Sequence, residues 1–491
     1  MAASATVLLT LIVYQLILLG VGIWATGRVT DEEDYFLGGR RLGAIVASLS
    51  YSASSSSAYT LLGVSGAAYG LGLSALWIAA GSVLGAVVAW FVVASGMMAF
   101  SRRHGTVTIA DFMAHDADDV WRQRIVVLTS TIVVFSFAFY VAAQFQGAGS
   151  TFSTAFGLPL PGAIILGGMI VLIYTWLGGF WAVSVTDAVQ GLLMLVTAVL
   201  LPIAAVSAVG GVPALADRLG ALDAPDLLRV SGQHVGLGAV GFILGSLGIG
   251  LGPVGQPHLL VRFMAVRDAA ALRRARLLTL FWFTIVFAGM FVAGLAGRVL
   301  LPSLPASDAE SIFFLLANSL FSPLIAGVML AAVLSAIMST ADSQLLVGAS
   351  SIAYDLGLSR RFPRTRLLVP RLTIAALVVV SILIALYIPT TIFRRVLFAW
   401  SALGAAFGPT VVLRIVGIRL SAPAVFASMI VGFGSAALFF AFSTSPGQIL
   451  ERVVPFALGA TILWVWRRGL DDGVRSAGRP RGRVAWSDGP Q

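Results

Sequence analysis

Cysteine and lysine are both absent from this 491-residue chain. Without a thiol there is no disulfide, no thiolate nucleophile and no cysteine–zinc site. The four histidines (His104, His115, His234, His258) lie too far apart in sequence to suggest a metal cluster. Charge is scarce too: 11% of residues carry it, against roughly 25% in soluble domains. With 58% apolar residues and a mean hydropathy of +0.97, a water-soluble globular protein of this length is excluded. There is no HExxH motif, no Ser/His pairing at membrane depth and no strand ahead of the glycine strings, so no enzyme and no organic cofactor are expected.

What is present is a series of long apolar runs, and the bilayer is the ruler for them: about 20 apolar residues cross about 30 Å. The runs fall at 6–26, 43–70, 73–100, 124–149, 161–178, 187–208, 236–261, 277–301, 322–352, 369–388, 394–413, 422–443 and 449–466. They predict an all-α polytopic membrane protein with 13 transmembrane helices. The first run lacks a basic flank and stays apolar for about 20 residues, which suits a spanning helix better than a cleaved signal peptide.

All 31 basic residues are arginines, and the formal net charge is +10. In a soluble protein such a balance would suggest nucleic acid. Here the arginines cluster between apolar runs and read as a topology signal, so the expected partner is the lipid bilayer and not nucleic acid. With the N-terminus outside, only Arg218, Arg229, Arg298, Arg394, Arg395 and Arg452 fall outside; the rest, Arg262 among them, count as cytoplasmic. That bias predicts N-terminus out, C-terminus in, and a cell (inner) membrane location. Residues 1–468 then form one membrane-embedded domain, followed by a polar tail, 469–491, that reads as disordered and cytoplasmic. Segments within 209–235, 307–321 and 108–116 are candidates for small surface helices.

Two runs are poor continuous helices. The second carries Ser50, Ser52 and Ser54–Ser57, whose hydroxyls compete for backbone hydrogen bonds. The seventh carries GSLGIGLGPVGQPH (245–258), with five glycines and two prolines. Unwound backbone at membrane depth is tolerated where it is buried in protein or lines a wet cavity. Close packing through small residues is the plain alternative for either run alone. Two interrupted helices, five runs apart, are the usual pointer to a transporter's substrate site. They divide the chain into a first repeat (43–208) and an inverted second repeat (236–413), with 6–26, 422–443 and 449–466 peripheral.

In the ninth run, Ala336, Ser339, Thr340 and Ser343 share one helical face at 100° per residue, with Gln344 beside them. Converging hydroxyls offer neutral oxygens to a small hard cation; bonding back to the preceding turn is the alternative. Two carboxylates stand at membrane depth, Asp187 opening the sixth run and Asp342 inside the ninth. Intramembrane acids suggest ion or proton pathways, and for Asp187 a helix N-terminal acid is the alternative.

DYFLGGRRLG (34–43), the serine-rich break, WLGGFWAVSVTDAVQG (176–191), GQPHLLVRFMA (255–265), LAAVLSAIMSTADSQLLV (330–347) and AWSALGAAFGPTVVL (399–413) together resemble the sodium:solute symporter family, nearest its sodium/proline branch. The resemblance implies a LeuT-type 5+5 inverted repeat, alternating access and sodium as coupling ion for a small organic solute, an amino acid such as proline or a related carboxylate. It implies a sodium site at the carbonyls of Ala53, Ser56 and Ala336 and the hydroxyls of Ser339 and Thr340. A second cation would fall near Asp187, Asp342, Ser339 and Ser343. Ser57 and Tyr140 match substrate positions.

Three departures from the proline branch reshape the substrate region. Ser55 replaces an acid, Tyr59 a tryptophan, and Ile249 and Pro253 an aromatic pair. With Ser57, Tyr140 and Gln344 these are the candidate substrate contacts, and the lost aromatics predict a wider or reshaped pocket less suited to proline. The alternatives are proton coupling through Asp342 and Asp187, or a transporter-like sensor.

Overall fold

The computed structural model describes residues 2–26, 37–177, 180–222, 224–361, 368–388 and 390–476. Secondary structure among them is helical, apart from one isolated parallel bridge between Leu42 and Val266. Helices dominate because a backbone in hydrocarbon must satisfy its own N–H and C=O groups. In chain order the principal helices are α1 (Ala2–Thr26), α2 (Ala44–Ser55), α3 (Val64–Leu71), α4 (Leu76–Val88), α5 (Ala94–His104), α6 (Asp119–Phe156), α7 (Leu160–Leu177) and α8 (Phe180–Val209). They continue with α9 (Gly236–Leu247), α10 (Pro257–Ala265), α11 (Ala269–Leu300), α12 (Pro323–Ser350), α13 (Leu368–Tyr387), α14 (Ile392–Ile415), α15 (Ala422–Phe442) and α16 (Val454–Ser476). Eleven helical runs among the described residues are long and apolar enough to cross a membrane.

Helix starts follow local chemistry. Asp118 accepts from the Trp121 amide at 2.8 Å and opens α6, and Asp268 accepts from the Ala271 amide at 2.7 Å and opens α11. Short helices at Ile109–Met113, Val212–Gly220 and Ile312–Leu320 occupy the three segments expected to hold small surface helices. The last helix continues to Ser476, so the polar tail expected from residue 469 begins as helix; 477–491 lie outside the described residues. The family-like segment 34–43 lies partly outside them as well.

Both expected breaks are present. α2 stops at Ser55, Ser56 leaves helical geometry (φ −103°, ψ 83°), and helix resumes through a π turn at Tyr59–Gly63 into α3. In the second, α9 ends at Leu247, Gly248–Gly255 form a 3-10 coil, Gln256 is extended, and Pro257 opens α10. Pro fits that first helical position because its missing N–H would have no partner there.

Glycine decides how closely the second break packs. It lies between α4 and α14. A Cβ on Gly255 would overlap the Leu403 carbonyl, and one on Gly250 would reach 2.7 Å from the Gly81 carbonyl. Backbone-to-backbone approach is what small residues permit in membrane bundles.

At one end of the molecule the two broken helices are tied together. The Leu42 amide donates to Ala265 O at 3.1 Å and the Arg267 amide to Leu42 O at 2.9 Å. That tie sets α10 beside α2. The arginine count needs correction here: Arg262, taken as a loop residue, is 2% exposed in α10, and Arg395, Arg414 and Arg452 are buried too.

Candidate cation and substrate site

The hydroxyl face of α12 meets the unwinding end of α2. Ser339 Oγ donates to Ala53 O at 3.0 Å and lies 3.3 Å from Ala336 O; Thr340 Oγ1 donates to Ser54 O at 3.1 Å. Ser339, Thr340 and Ser56 are fully buried, and the Ser56 hydroxyl has no partner among the described residues. Hard cations such as calcium take oxygens at about 2.4 Å, which at right angles puts neighbouring ligands about 3.4 Å apart. Ser339 Oγ thus lies within 3.3 Å of two of the carbonyls that the resemblance implies, those of Ala53 and Ala336. Ser339 also bonds back to Ser335 O at 2.8 Å, the alternative use of its hydroxyl, its single proton being shared between that carbonyl and Ala53 O.

Of the residues expected to gather a second cation, Asp187 and Ser343 are bonded by the protein's own arginine, while Asp187 Oδ1 and Asp342 Oδ2 have no partner among the described residues. Arg262 Nη2 donates to Asp187 Oδ2 at 2.8 Å and to Ser343 Oγ at 2.7 Å, and its Nε donates to Ser50 Oγ at 2.9 Å. Its remaining partners are Ser54 Oγ and the His258 carbonyl. Ser50 and Ser54 in turn donate to Asp187 Oδ2 at 2.8 and 2.9 Å. Asp187 does not open its helix: α8 begins at Phe180, and the carboxylate is wholly buried. Asp342 joins this network only through Ser343. Its Oδ1 accepts from Ser343 at 3.3 Å, and its Oδ2 has no partner among the described residues.

The substrate candidates are sealed from solvent. Ser57, Tyr59, Tyr140 and Gln344 are 0% exposed, Ser55 1% and Ile249 2%. Ser55 Oγ bonds back to Ser52 O at 3.0 Å, and Ser57 Oγ accepts from the Tyr59 amide at 3.2 Å. Tyr59 Oη sits 3.2 Å from Ser82 Oγ.

Other aromatics stand beside the second break, where the aromatic pair is lost. Trp400 on α14 fills the space beside the second break, where a Cβ on Gly252 would come within 2.9 Å of it. Its Nε1 donates to Tyr140 Oη at 2.7 Å, and its ring centroid lies 6.0 Å from that of Tyr59. Pro253 packs against Gly85 instead. Aromatic walls are supplied from α6, α14 and the π turn after the first break.

The residues alone had not singled out Arg262, Trp400, Gln144 or Gln256. Gln144 Oε1 accepts from the Ala58 amide at 3.0 Å, one of the donors freed by the first break. The amide atoms of Gln256 and Gln344 are buried without partners among the described residues, as befits groups that meet a polar solute. The signal available for Gln256 was its place at the end of the glycine string.

Two broken helices around converging neutral oxygens, inside an all-helical bundle, define a cation-coupled secondary transporter. The model of the sodium:solute symporter family matches residues 35–432, and the chain belongs to that family. It is therefore a multi-pass membrane transporter and not an enzyme, with sodium as coupling ion and a small molecule as solute. It is 34% identical to the osmoregulated proline transporter OpuE of Bacillus subtilis (strain 168), over 92% of each chain. It is also 34% identical to sodium/proline symporter 2 of Staphylococcus saprophyticus, over 88% of this chain and 85% of that one. The fold is that of a solved Na+-coupled sialic acid symporter (TM-score 0.78, 21% identity, 94% of this chain and 98% of that one). Mhp1, a nucleobase-cation-symport-1 family transporter, is more distant at a TM-score of 0.58 and 13% identity, with 91% and 96% covered.

Proposed function

We propose that this protein imports a small amino acid of the proline class together with one sodium ion, by alternating access in a LeuT-type 5+5 inverted repeat. The observation that carries the reading is the contact of Ser339 and Thr340 with the carbonyls of Ala53 and Ser54 at the first break. Sodium is held by the carbonyls of Ala53, Ser56 and Ala336 and the hydroxyls of Ser339 and Thr340. Because these ligands join α2 to α12, ion binding stabilises one arrangement of the broken helix against its neighbour. The coupling is that difference in affinity between states.

The solute sits between the two breaks, among Ser57, Tyr59, Tyr140, Trp400, Gln256 and Gln344, with Ser55, Ile249 and Pro253 behind them. Aromatic walls and a small unwound segment suit a compact ring or short aliphatic side chain, and both named proline transporters at 34% identity support that class. Arg262 serves as a tethered cation where a second ion would otherwise bind Asp187, Ser343 and Asp342. A fixed positive charge there leaves one sodium per cycle.

Counting α7, and dividing the run Tyr59–His104 at Gly72, raises the eleven spans to thirteen. An odd number with the arginine bias puts the N-terminus outside and the C-terminus inside a bacterial inner membrane. The repeats are 43–208 and 236–413. The test is uptake by purified protein in liposomes, using labelled amino and carboxylic acids with and without an inward sodium gradient. Proline-class uptake that depends on the gradient supports the reading; gradient-independent uptake overturns it.

A further inference from the structure

A groove of about 920 Å³ lies on the membrane-facing side of the bundle. Its walls are α6, the π turn Ser351–Asp355 that follows α12, the short helix Leu358–Arg361 and α13. Phe135, Leu356, Leu372 and Val380 are among the lining residues and are exposed. Along α13 the groove runs from Leu368 to Ile384, about 24 Å, and along α6 from Ser130 to Phe139, about 14 Å. One leaflet of a bilayer's hydrocarbon is about 15 Å deep.

The walls hold little for water. Thr131 donates to Val127 O at 2.8 Å and Thr373 to Val369 O at 2.9 Å. Ser130 is then the one lining hydroxyl without a partner among the described residues. An apolar recess at hydrocarbon depth takes up hydrocarbon, because water would find too few polar partners there. Chain contact of that kind does not by itself select one lipid over another. The end of the groove does.

Two arginines stand at that end. Arg124 lies seven residues before Thr131, about two turns, and so on the same face of α6. Arg361 follows Leu358 by three residues on the short helix. Both are exposed, and neither has a hydrogen bond or ion pair among the described residues. Arg124 keeps its guanidinium carbon 4.9 Å over the ring of Trp121, an aromatic of the kind that sits at headgroup level. Neighbouring Arg122 is taken by Asp111 at 3.1 Å. Positive charge at a helix end serves topology in any case. Here it also borders a recess deep enough for a lipid chain. An apolar slot below two unpaired guanidinium groups complements a phospholipid of net negative charge.

We propose that this groove binds an anionic phospholipid of the cytoplasmic leaflet, with an acyl chain between α6 and α13 and the headgroup phosphate on Arg124 and Arg361. The leaflet rests on the orientation proposed above; the groove and its two arginines do not.

The experiment counts lipid retained by the purified full chain. The protein is delipidated in detergent, given equimolar dioleoyl phosphatidylglycerol and dioleoyl phosphatidylcholine, and read by native mass spectrometry. Each basic residue near an anionic surface is worth about fivefold in occupancy. Phosphatidylglycerol should be retained at least fivefold over phosphatidylcholine, and Arg124→Gln with Arg361→Gln should bring that ratio close to one. Arg273→Gln with Arg274→Gln, on the exposed start of α11 and outside the groove, should leave it unchanged. Ala376→Phe and Val380→Trp fill the groove from α13 and should each lower phosphatidylglycerol retention severalfold. Melting temperature and size-exclusion profile show which variants are folded. Equal retention of the two lipids by the unmodified chain overturns the site, as does unchanged retention in whichever filling variant is folded. An equal loss in Arg273→Gln with Arg274→Gln makes the attraction diffuse and overturns it too. A dimer that Ala376→Phe disperses makes a second copy of the chain the occupant and overturns the lipid assignment.

Discussion

Arg262 Nη2 donates to Asp187 Oδ2 at 2.8 Å, and neither side chain is more than 2% exposed. The arginine comes from the half-helix after the second break and the acid from α8, with Ser50 and Ser54 of α2 bonded to both. Three elements, α2, α8 and α10, therefore share one charged contact.

Removing one partner should be worse than removing both. An uncompensated buried charge costs about 3–5 kcal/mol, whereas replacing the whole pair can be nearly neutral. Arg262→Gln is expected to lower the melting temperature of the purified protein, and adding Asp187→Asn to restore part of it. With the tethered cation gone and Asp187 retained, the sodium Hill coefficient should rise from one towards two. A double variant no more stable than the single would show that the pair is not the source of the loss.

Asp342→Asn should leave the Hill coefficient at one. Its carboxylate bonds Ser343, and the Arg262 guanidinium already occupies Asp187 Oδ2 and Ser343 Oγ beside it. An amide of the same shape can still accept from Ser343. A drop in Hill coefficient from two to one would instead place a second sodium beside Asp342.

Ser339→Ala and Thr340→Ala should each raise the sodium concentration for half-maximal uptake, by about tenfold, since a hydrogen bond or ligand to a charged group is worth about 1.5–3 kcal/mol. Ser339 should matter more, because its hydroxyl approaches both Ala53 O and Ala336 O. Sodium titrations at saturating solute check this; an effect on solute affinity alone would contradict it.

Trp400→Phe keeps the ring beside Gly252 but removes the donor to Tyr140 Oη. Uptake should show a several-fold higher KM for solute, with the sodium requirement little changed. An altered sodium requirement with unchanged KM would move Trp400 out of the solute site.

Acidification should destabilise the short Ile109–Met113 region through His115. Burial holds its imidazole below the ordinary 6.5; Asp116 opposes the shift, while His104, Arg414 and Arg122 reinforce it. The unfolded chain then takes up the proton more readily, so stability is full above about pH 6.5 and falls below it. Melting temperatures from pH 7.5 to 5 should decline less steeply in His115→Gln.

Membrane class, the apolar runs and both helix breaks were legible in the sequence because each is local. Hydrocarbon thickness sets run length, and glycine, proline and clustered serine interrupt a helix wherever they stand. The shared face of Ser339, Thr340 and Ser343 followed from helical periodicity in the same way. Periodicity could not supply the carbonyls that Ser339 and Thr340 face, 286 residues away; the family resemblance named Ala53, and Ser54 emerged only from the fold. Arg262 was read as a loop residue because an arginine ending an apolar run looks the same whether it leaves the bundle or turns into it. Its acid is 75 residues distant, and it takes the tie between Leu42 and Ala265 and the stacking of Tyr51 on Phe263 to set α10 beside α2. The aromatic wall was hidden for the same reason: Trp400 and Tyr140 are 260 residues apart and meet through glycine-permitted packing. A buried polar group needs a partner, and when neither neighbour on its own helix supplies one, the tertiary fold alone decides which distant residue does.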